Sequence, residues 1–318
     1  MTGINISGVL CVLFCMMPYL APAQTDMAER LNTRDLLPTA FPQKDISVAD
    51  PFDPQAALLQ LFPGDTATGI QGERVISWAC TACPASSYKD ANGELGAGEQ
   101  ASFPPREVST RLLKVIKVQD STGSYLFLSF NHNPYDPDGM QTGRFSGGIL
   151  GIAKFAKAGQ SWLLRSVSPA IGAYGAFQQC ASPQLVALGD GQYGFLETHM
   201  NGGAGGPCWE DYFIIAGING QYRQVGYVPA TARRYTGKGM SAWESRLEAA
   251  PGKAAFRDLL IITTGDYFFE PEEPDAFPQN LKALFRDKRP CHFTIITKYA
   301  YTAGGGYMPV GAPKIVKR

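Results

Sequence analysis

From Gln184 to Val228 the chain reads LVALG, the turn GDGQYG, FLETH, the loop MNGGAGGPCWE, DYFIIAGI, the turn NGQ and YRQVGYV. Every apolar run is too short for a helix, and each is cut by Asp-Gly, Asn-Gly or a glycine cluster. Such a segment must fold back on itself repeatedly, as a meander of antiparallel strands. Further strands are expected at Arg74 to Trp78, Arg111 to Val118, Tyr125 to Phe130, Gly148 to Phe155 and Trp162 to Val167. DSTGS, KAGQ, GDGQ and NGQ supply the turns, each bringing a glycine to a position that favours positive φ. Tyr 14, Phe 18 and Gly 35 agree with a strand-rich chain.

The expected class is therefore mainly β, built from antiparallel hairpin sheets as a β-sandwich or a propeller-like array. ILGIAKFAKAGQSWLLRSV and YFIIAGINGQYRQVGYV both read strand, Gly-Gln turn, strand, about 61 residues apart, which suits two propeller blades or two ordinary hairpins. The segment Asp53 to Leu61 predicts a short helix, with Asp53 as its cap and Pro54 in its first turn. A weak apolar stripe over Gln24 to Leu37 suggests another, and Pro38 to Pro54 should be extended. After Val228 the sequence becomes more polar and reads as a smaller α+β part. It has a helix at Ser241 to Ala250, a strand in FRDLLIITTGDYFF, a helix in QNLKALFRDK and a strand in HFTIITKYAYT. This gives a signal at 1–23, an arm at 24–70 and one domain at 71–318, with a meander over 71–228 and its completion over 229–318.

Between Ile4 and Ala23 no side chain is charged, and the apolar run ends in Ala21-Pro22-Ala23. That pattern reads as a secretory signal cleaved before Gln24, although MTGINIS lacks the usual Lys or Arg. The expected address is periplasmic or secreted, with no membrane span after cleavage. A retained anchor is the competing reading, opposed by Pro18 and Pro22. Lys+Arg and Asp+Glu are equal at 28 each, so no broad field recruits nucleic acid.

Export gives cysteine a structural meaning. Removal of the signal leaves Cys80, Cys83, Cys180, Cys208 and Cys291, an odd number. Cys180 and Cys208 flank the central hairpin and are expected to bridge, closing a loop of about 28 residues. Cys180 with Cys291 and Cys80 with Cys208 are other pairings. Cys80 and Cys83 form a CxxC without the βαβ context of a redox pair, which favours a small structural loop.

Candidate chemistry is sparse. Glu197 and His199 lie two apart on one strand and share a face, leading into a four-glycine loop with Gly202, Gly203 and Gly205; Glu210 and Asp211 return beyond it. Glu197, His199 and Asp211 form the candidate acid/base group of a glycoside hydrolase; a solvated strand face is the bland reading. Tyr193, Gly202, Gly203, Gly205, Trp209 and Glu210 are the candidate ligand-binding residues, and Tyr174 and Tyr212 extend the aromatic set. Asp136 and Asp138, with Asn131 and Asn133, offer oxygen ligands to calcium, but the full calcium-loop spacing is missing and Asp-Pro-Asp-Gly is also an ordinary turn. No other cofactor is expected. His132 and His292 are as readily hydrogen-bonding residues as metal ligands. The expected function is a non-enzymatic exported protein binding a protein or glycan of the cell envelope, with an envelope hydrolase as the alternative.

Overall fold

The computed structural model describes residues 46–69, 72–78, 87–92, 101–102, 108–121, 123–134, 146–189, 191–202, 208–236, 239–268 and 289–318. These form two large antiparallel sheets and a short two-stranded ribbon, with a single helix among the described residues. The chain is mainly β, and one sheet is a curled half-barrel.

The first sheet takes β1 (Ser47–Ala49), β2 (Asp65–Thr68), β3 (Arg74–Trp78), β6 (Val108–Asp120), β7 (Gly123–Pro134), β8 (Gly148–Ala158) and β9 (Ser161–Tyr174). Their order is β1-β9-β8-β7-β6-β3-β2, seven strands. The ribbon is β4 (Ser87–Tyr88) with β5 (Ala101–Ser102). The second sheet is a nearly pure meander of β10 (Gln184–Gly189), β11 (Gln192–Gly202), β12 (Cys208–Ile218), β13 (Gln221–Thr236), β14 (Gly239–Ala249), β15 (Leu259–Tyr267), β16 (Cys291–Thr302) and β17 (Gly306–Pro309). A ninth strand, β18 (Lys314–Lys317), also pairs with β16. Sheets of seven and nine strands exceed the four-stranded blade of a propeller, so of the two expected architectures the packed-sheet one describes the molecule.

Alternation along the strands decides the layering. On β7, Leu126, Leu128 and Phe130 face one way and Tyr125 and Phe127 the other, and all are buried. The even-numbered set packs under α1 (Pro54–Leu61), through Leu58 and Phe62. Asp53 caps that helix as expected, its Oδ1 accepting from Gln55 N at 2.9 Å and Ala56 N at 3.1 Å. The odd-numbered set meets the second sheet in a shared seam, where the Phe127 ring lies 5.3 Å from Phe195. On β12, Phe213 and Ile215 belong to that seam while Ile214, Ala216 and Ile218 line the hollow of the half-barrel.

The Asn219-Gly220 turn has φ of 54° and 79°, the left-handed pair that a two-residue hairpin needs. The expected helix at Ser241 to Ala250 is instead β14, paired on both sides. Its helix-forming residues obscured a period of two. Ser241, Trp243 and Ser245 are buried, and Glu244, Arg246 and Glu248 are exposed. The α+β character expected after Val228 is strand throughout the described residues; QNLKALFRDK and Gln24 to Leu37 lie outside them.

Candidate functional site

Two places bring together residues able to do chemistry: the seam between the sheets, and a groove beside the half-barrel. The seam holds Glu197, His199, Tyr193, Tyr174 and Cys180 of the residues expected from sequence.

Glu197 and His199 share a face of β11, with Phe213 opposite the first and Asp211 opposite the second. Glu197 and Asp211 are thus diagonal neighbours, roughly 7–8 Å apart at their α-carbons. The face points inward. Glu197 is 0% exposed and His199 2%. Both side chains hold the loop that carries the chain from one sheet to the other. Glu197 Oε1 accepts from Ala181 N at 3.0 Å, and His199 Nδ1 accepts from Gly175 N at 2.9 Å. From the first sheet, Asn131 holds the same loop. Its Oδ1 accepts from Cys180 N and from the Cys180 thiol, each at 2.9 Å, and its Nδ2 donates to Gln178 O at 3.1 Å. Gly148 has to be glycine here, since a Cβ would stand 1.9 Å from Asn131 Oδ1. Phe177 and Gln178 have φ of 53° and 57°, a strained turn that these bonds hold in place.

Burial governs the titration of this cluster. It raises the Glu197 carboxyl well above its ordinary range, against the Ala181 hydrogen bond, and lowers His199. It raises the Cys180 thiol, with the Glu197 charge adding to the effect. Glu197 Oε2 meets no hydrogen-bonding group of the protein among the described residues.

The expected bridges of Cys180 are absent. Cys180 is a buried thiol bonded to Asn131 and forms no disulfide, and the half-buried Cys291 forms none either, which removes the pairing with Cys208 and the alternative with Cys291. Asn131 takes the place a bridge would have had as the tether of the loop. Cys80 and Cys83 lie outside the described residues, as do Asp136, Asp138, Gly203 and Gly205. Asn131 is committed to the loop, and Asn133 accepts from its amide. No three His, Cys, Asp or Glu side chains converge as a metal site among the described residues. His132 is sealed on the helix side of β7 against Phe62 and Phe130 and hydrogen-bonds the Thr110 hydroxyl; burial lowers its pKa to about 3. His292 bonds Asp266 at 2.9 Å on the surface.

Tyr193 packs half-buried into the seam rather than offering a free ring. Tyr174 is buried there as well, its hydroxyl donating to Gln224 Oε1 at 3.1 Å. Gly202 and Trp209 are placed at the loop end of the β11–β12 hairpin, Gly202 opposite Cys208 and Trp209 opposite Asn201. Glu210 is half-buried opposite Met200, and Tyr212 packs against the core of the half-barrel.

The groove arises because β13 pairs with β14 only over Thr231–Thr236. Its first half has β12 on one edge, while the β16–β17 hairpin leans against it. Gly306, at φ 74°, makes that approach possible: a Cβ there would stand 2.2 Å from the Val225 carbonyl. Between them runs a groove of about 720 Å³, walled by Tyr227, Tyr299, Tyr301 and Tyr307 with Arg223, Gln224, Thr297 and Met308, and floored by Gly304 to Gly306. Tyr301 stacks on Phe256 at 4.0 Å and meets Tyr307 edge-on at 5.4 Å, so its ring is held. Tyr227 is 48% exposed and Met308 54%. Aromatic walls with a few fixed polar groups are the usual make-up of a small-ligand site.

Seam and groove touch at two points. Gln224 lines the groove and bonds Tyr174, and the Tyr227 hydroxyl donates to the Asp211 carboxylate. Burial lifts Asp211 to about 6, against the pull of that hydrogen bond, and Tyr227 to about 12, where burial is joined by the Asp211 charge. Of the residues singled out from sequence, Asp211 reaches the groove through Tyr227 and Tyr174 reaches it through Gln224. The tyrosines were missed, although Tyr299, Tyr301 and Tyr307 around a triple glycine are a visible cluster.

Comparison with protein-family models, with curated proteins and with solved structures finds no match for this chain.

Proposed function

We propose that the chain is an exported, non-enzymatic β-protein that binds a glycan of the cell envelope in the tyrosine groove. The observation that carries this reading is the wall of four tyrosines beside exposed Arg223 and Gln224. A sugar ring has an apolar C–H face and a hydroxyl edge. It stacks on aromatic rings while its hydroxyls exchange hydrogen bonds with polar groups beside them. Tyr301 is already ordered by Phe256, which lowers the entropy lost on binding. The apolar run ending at Ala23 supports export.

The other reading is glycoside hydrolysis by Glu197 and Asp211 with His199. In its favour are two carboxyls on one strand pair that both hold their protons more tightly than usual. Against it, Glu197 has no exposed surface and spends one oxygen on Ala181, so it cannot reach a glycosidic oxygen without the loop opening.

The test is calorimetric titration of the processed protein with solubilised envelope polysaccharide, followed by assay for released reducing ends. Binding without cleavage, weakened by Tyr301→Ala, is the expected result. Cleavage lost in Glu197→Gln would replace this reading with the hydrolase. Sequencing the amino terminus of the exported protein should give Gln24 first.

A further inference from the structure

We propose that the sugar held in the groove carries an N-acetyl group, and that Gln224 and Tyr227 read it. This rests on the glycan reading of the groove and adds the class of sugar. Both residues line the groove and both are exposed. They share the face of β13 that looks toward the seam, for Gln224 pairs with Ile215 and Tyr227 with Phe213, both seam residues. Three positions apart, they would fall on opposite faces of a regular strand. The bulge at Val225 adds the residue that brings them onto one.

Each has one hydrogen-bonding function already taken from the seam side. The Tyr227 hydroxyl gives its proton to the Asp211 carboxylate, so toward the groove its oxygen can only accept. Gln224 Oε1 accepts from the Tyr174 hydroxyl, which leaves the amide N–H groups to donate. Asp211 and Tyr174 are thus positioning residues, acting through the two side chains that meet the ligand. Phe213, its ring 5.4 Å from that of Tyr227, supports the wall from behind. A donor and an acceptor side by side call for a group that carries both. A carboxylate only accepts and an ammonium only donates. A hydroxyl does both, but its two partners meet on one oxygen and stand roughly 4.5–5 Å apart. The partners of a trans amide lie on opposite sides of it, roughly 7–8 Å apart. Successive residues on one face of a strand are spaced by roughly 7 Å, which suits the amide. The methyl end of an acetamido group needs an apolar place, and Met308, 54% exposed, lines the groove with Pro229 and Pro309.

The experiment titrates chitotetraose and cellotetraose into the processed protein. The two tetrasaccharides share one linkage, and the second has a hydroxyl wherever the first has an acetamido group. Chitotetraose should bind about tenfold or more tightly. Gln224→Glu keeps an acceptor for Tyr174 and removes the donor, and Tyr227→Phe keeps the ring and removes the acceptor. Each should bring the two affinities to within about threefold of one another while leaving that for cellotetraose unchanged, whereas Tyr301→Ala should weaken both. Affinity for cellotetraose equal to or above that for chitotetraose, or a preference that survives either substitution, overturns the N-acetyl reading and leaves the groove as a site for unsubstituted glycan. Failure of both saccharides to bind, or binding indifferent to Tyr301→Ala, overturns the glycan reading and this inference with it.

Discussion

The seam and the groove divide the molecule's polar and aromatic resources in opposite ways. At the seam, carboxylate, imidazole, thiol and amide lie together, and all are spent on holding one connecting loop. Along the groove the reactive groups are few, yet the Tyr227 ring stands open to solvent and Tyr301 is half-exposed, while Tyr299 and Tyr307 back them from the core. The side chains that look catalytic in sequence are the ones the fold has sealed. Accessibility, rather than residue type, separates a binding surface from a buried tether.

Substitutions can sharpen that contrast, the largest effect first. Phe127→Ala empties a fully packed position between Phe195 and Tyr222 and should cost about 3–5 kcal/mol of stability, measured by urea denaturation. Asn131→Ala should cost about 2–4 kcal/mol because it strands the buried Cys180 N–H, and it should make the Cys180 thiol, buried in the native protein, alkylate faster than in wild type. In the groove the sign pattern reverses. Tyr301→Ala should lower glycan affinity by roughly tenfold to a hundredfold with a smaller effect on folding, read by calorimetry beside a thermal melt.

The seam's pH response comes next. Glu197 has a folded-state pKa above its ordinary 4.5, so its contribution to stability is whole below that value and is lost as pH rises through the folded pKa. Asp211 adds a loss between about 3.8 and about 6. Glu197→Gln keeps an acceptor for Ala181 and removes the ionisation. It should therefore make the decline above pH 4.5 shallower, leaving the part due to Asp211, and make the variant more stable than wild type at alkaline pH, measured as unfolding free energy against pH. Arg246→Ala, which breaks an exposed pair with Glu248 at 2.8 Å, should change stability by less than about 0.5 kcal/mol.

Much of this architecture was legible in the sequence because turn chemistry is local. Asn219-Gly220, Gly159 and Gly191 take the left-handed φ values that their hairpins require, and Asp53 caps the helix it announces. The strand β14 was misread because serine occupies two of its inward positions, so the apolar alternation that marks a strand was muted. That Glu197 and His199 share a face also followed from spacing alone. Which way the face points did not, since that depends on where the other sheet lies. The groove was illegible for a similar reason: Arg223 to Tyr227 and Thr297 to Met308 are distant in the chain, and only the curl of the second sheet makes them neighbours. Cys180 misled because an odd thiol in an expected exported chain suggests a bridge, whereas Asn131 already tethers the loop.

The division between sealed seam and open groove is tested most directly by one titration series, in which envelope polysaccharide is added to wild type, Tyr301→Ala and Glu197→Gln under identical conditions. Affinity should collapse in Tyr301→Ala and remain that of wild type in Glu197→Gln. The opposite pattern, with binding or turnover abolished by Glu197→Gln and indifferent to Tyr301→Ala, would contradict it.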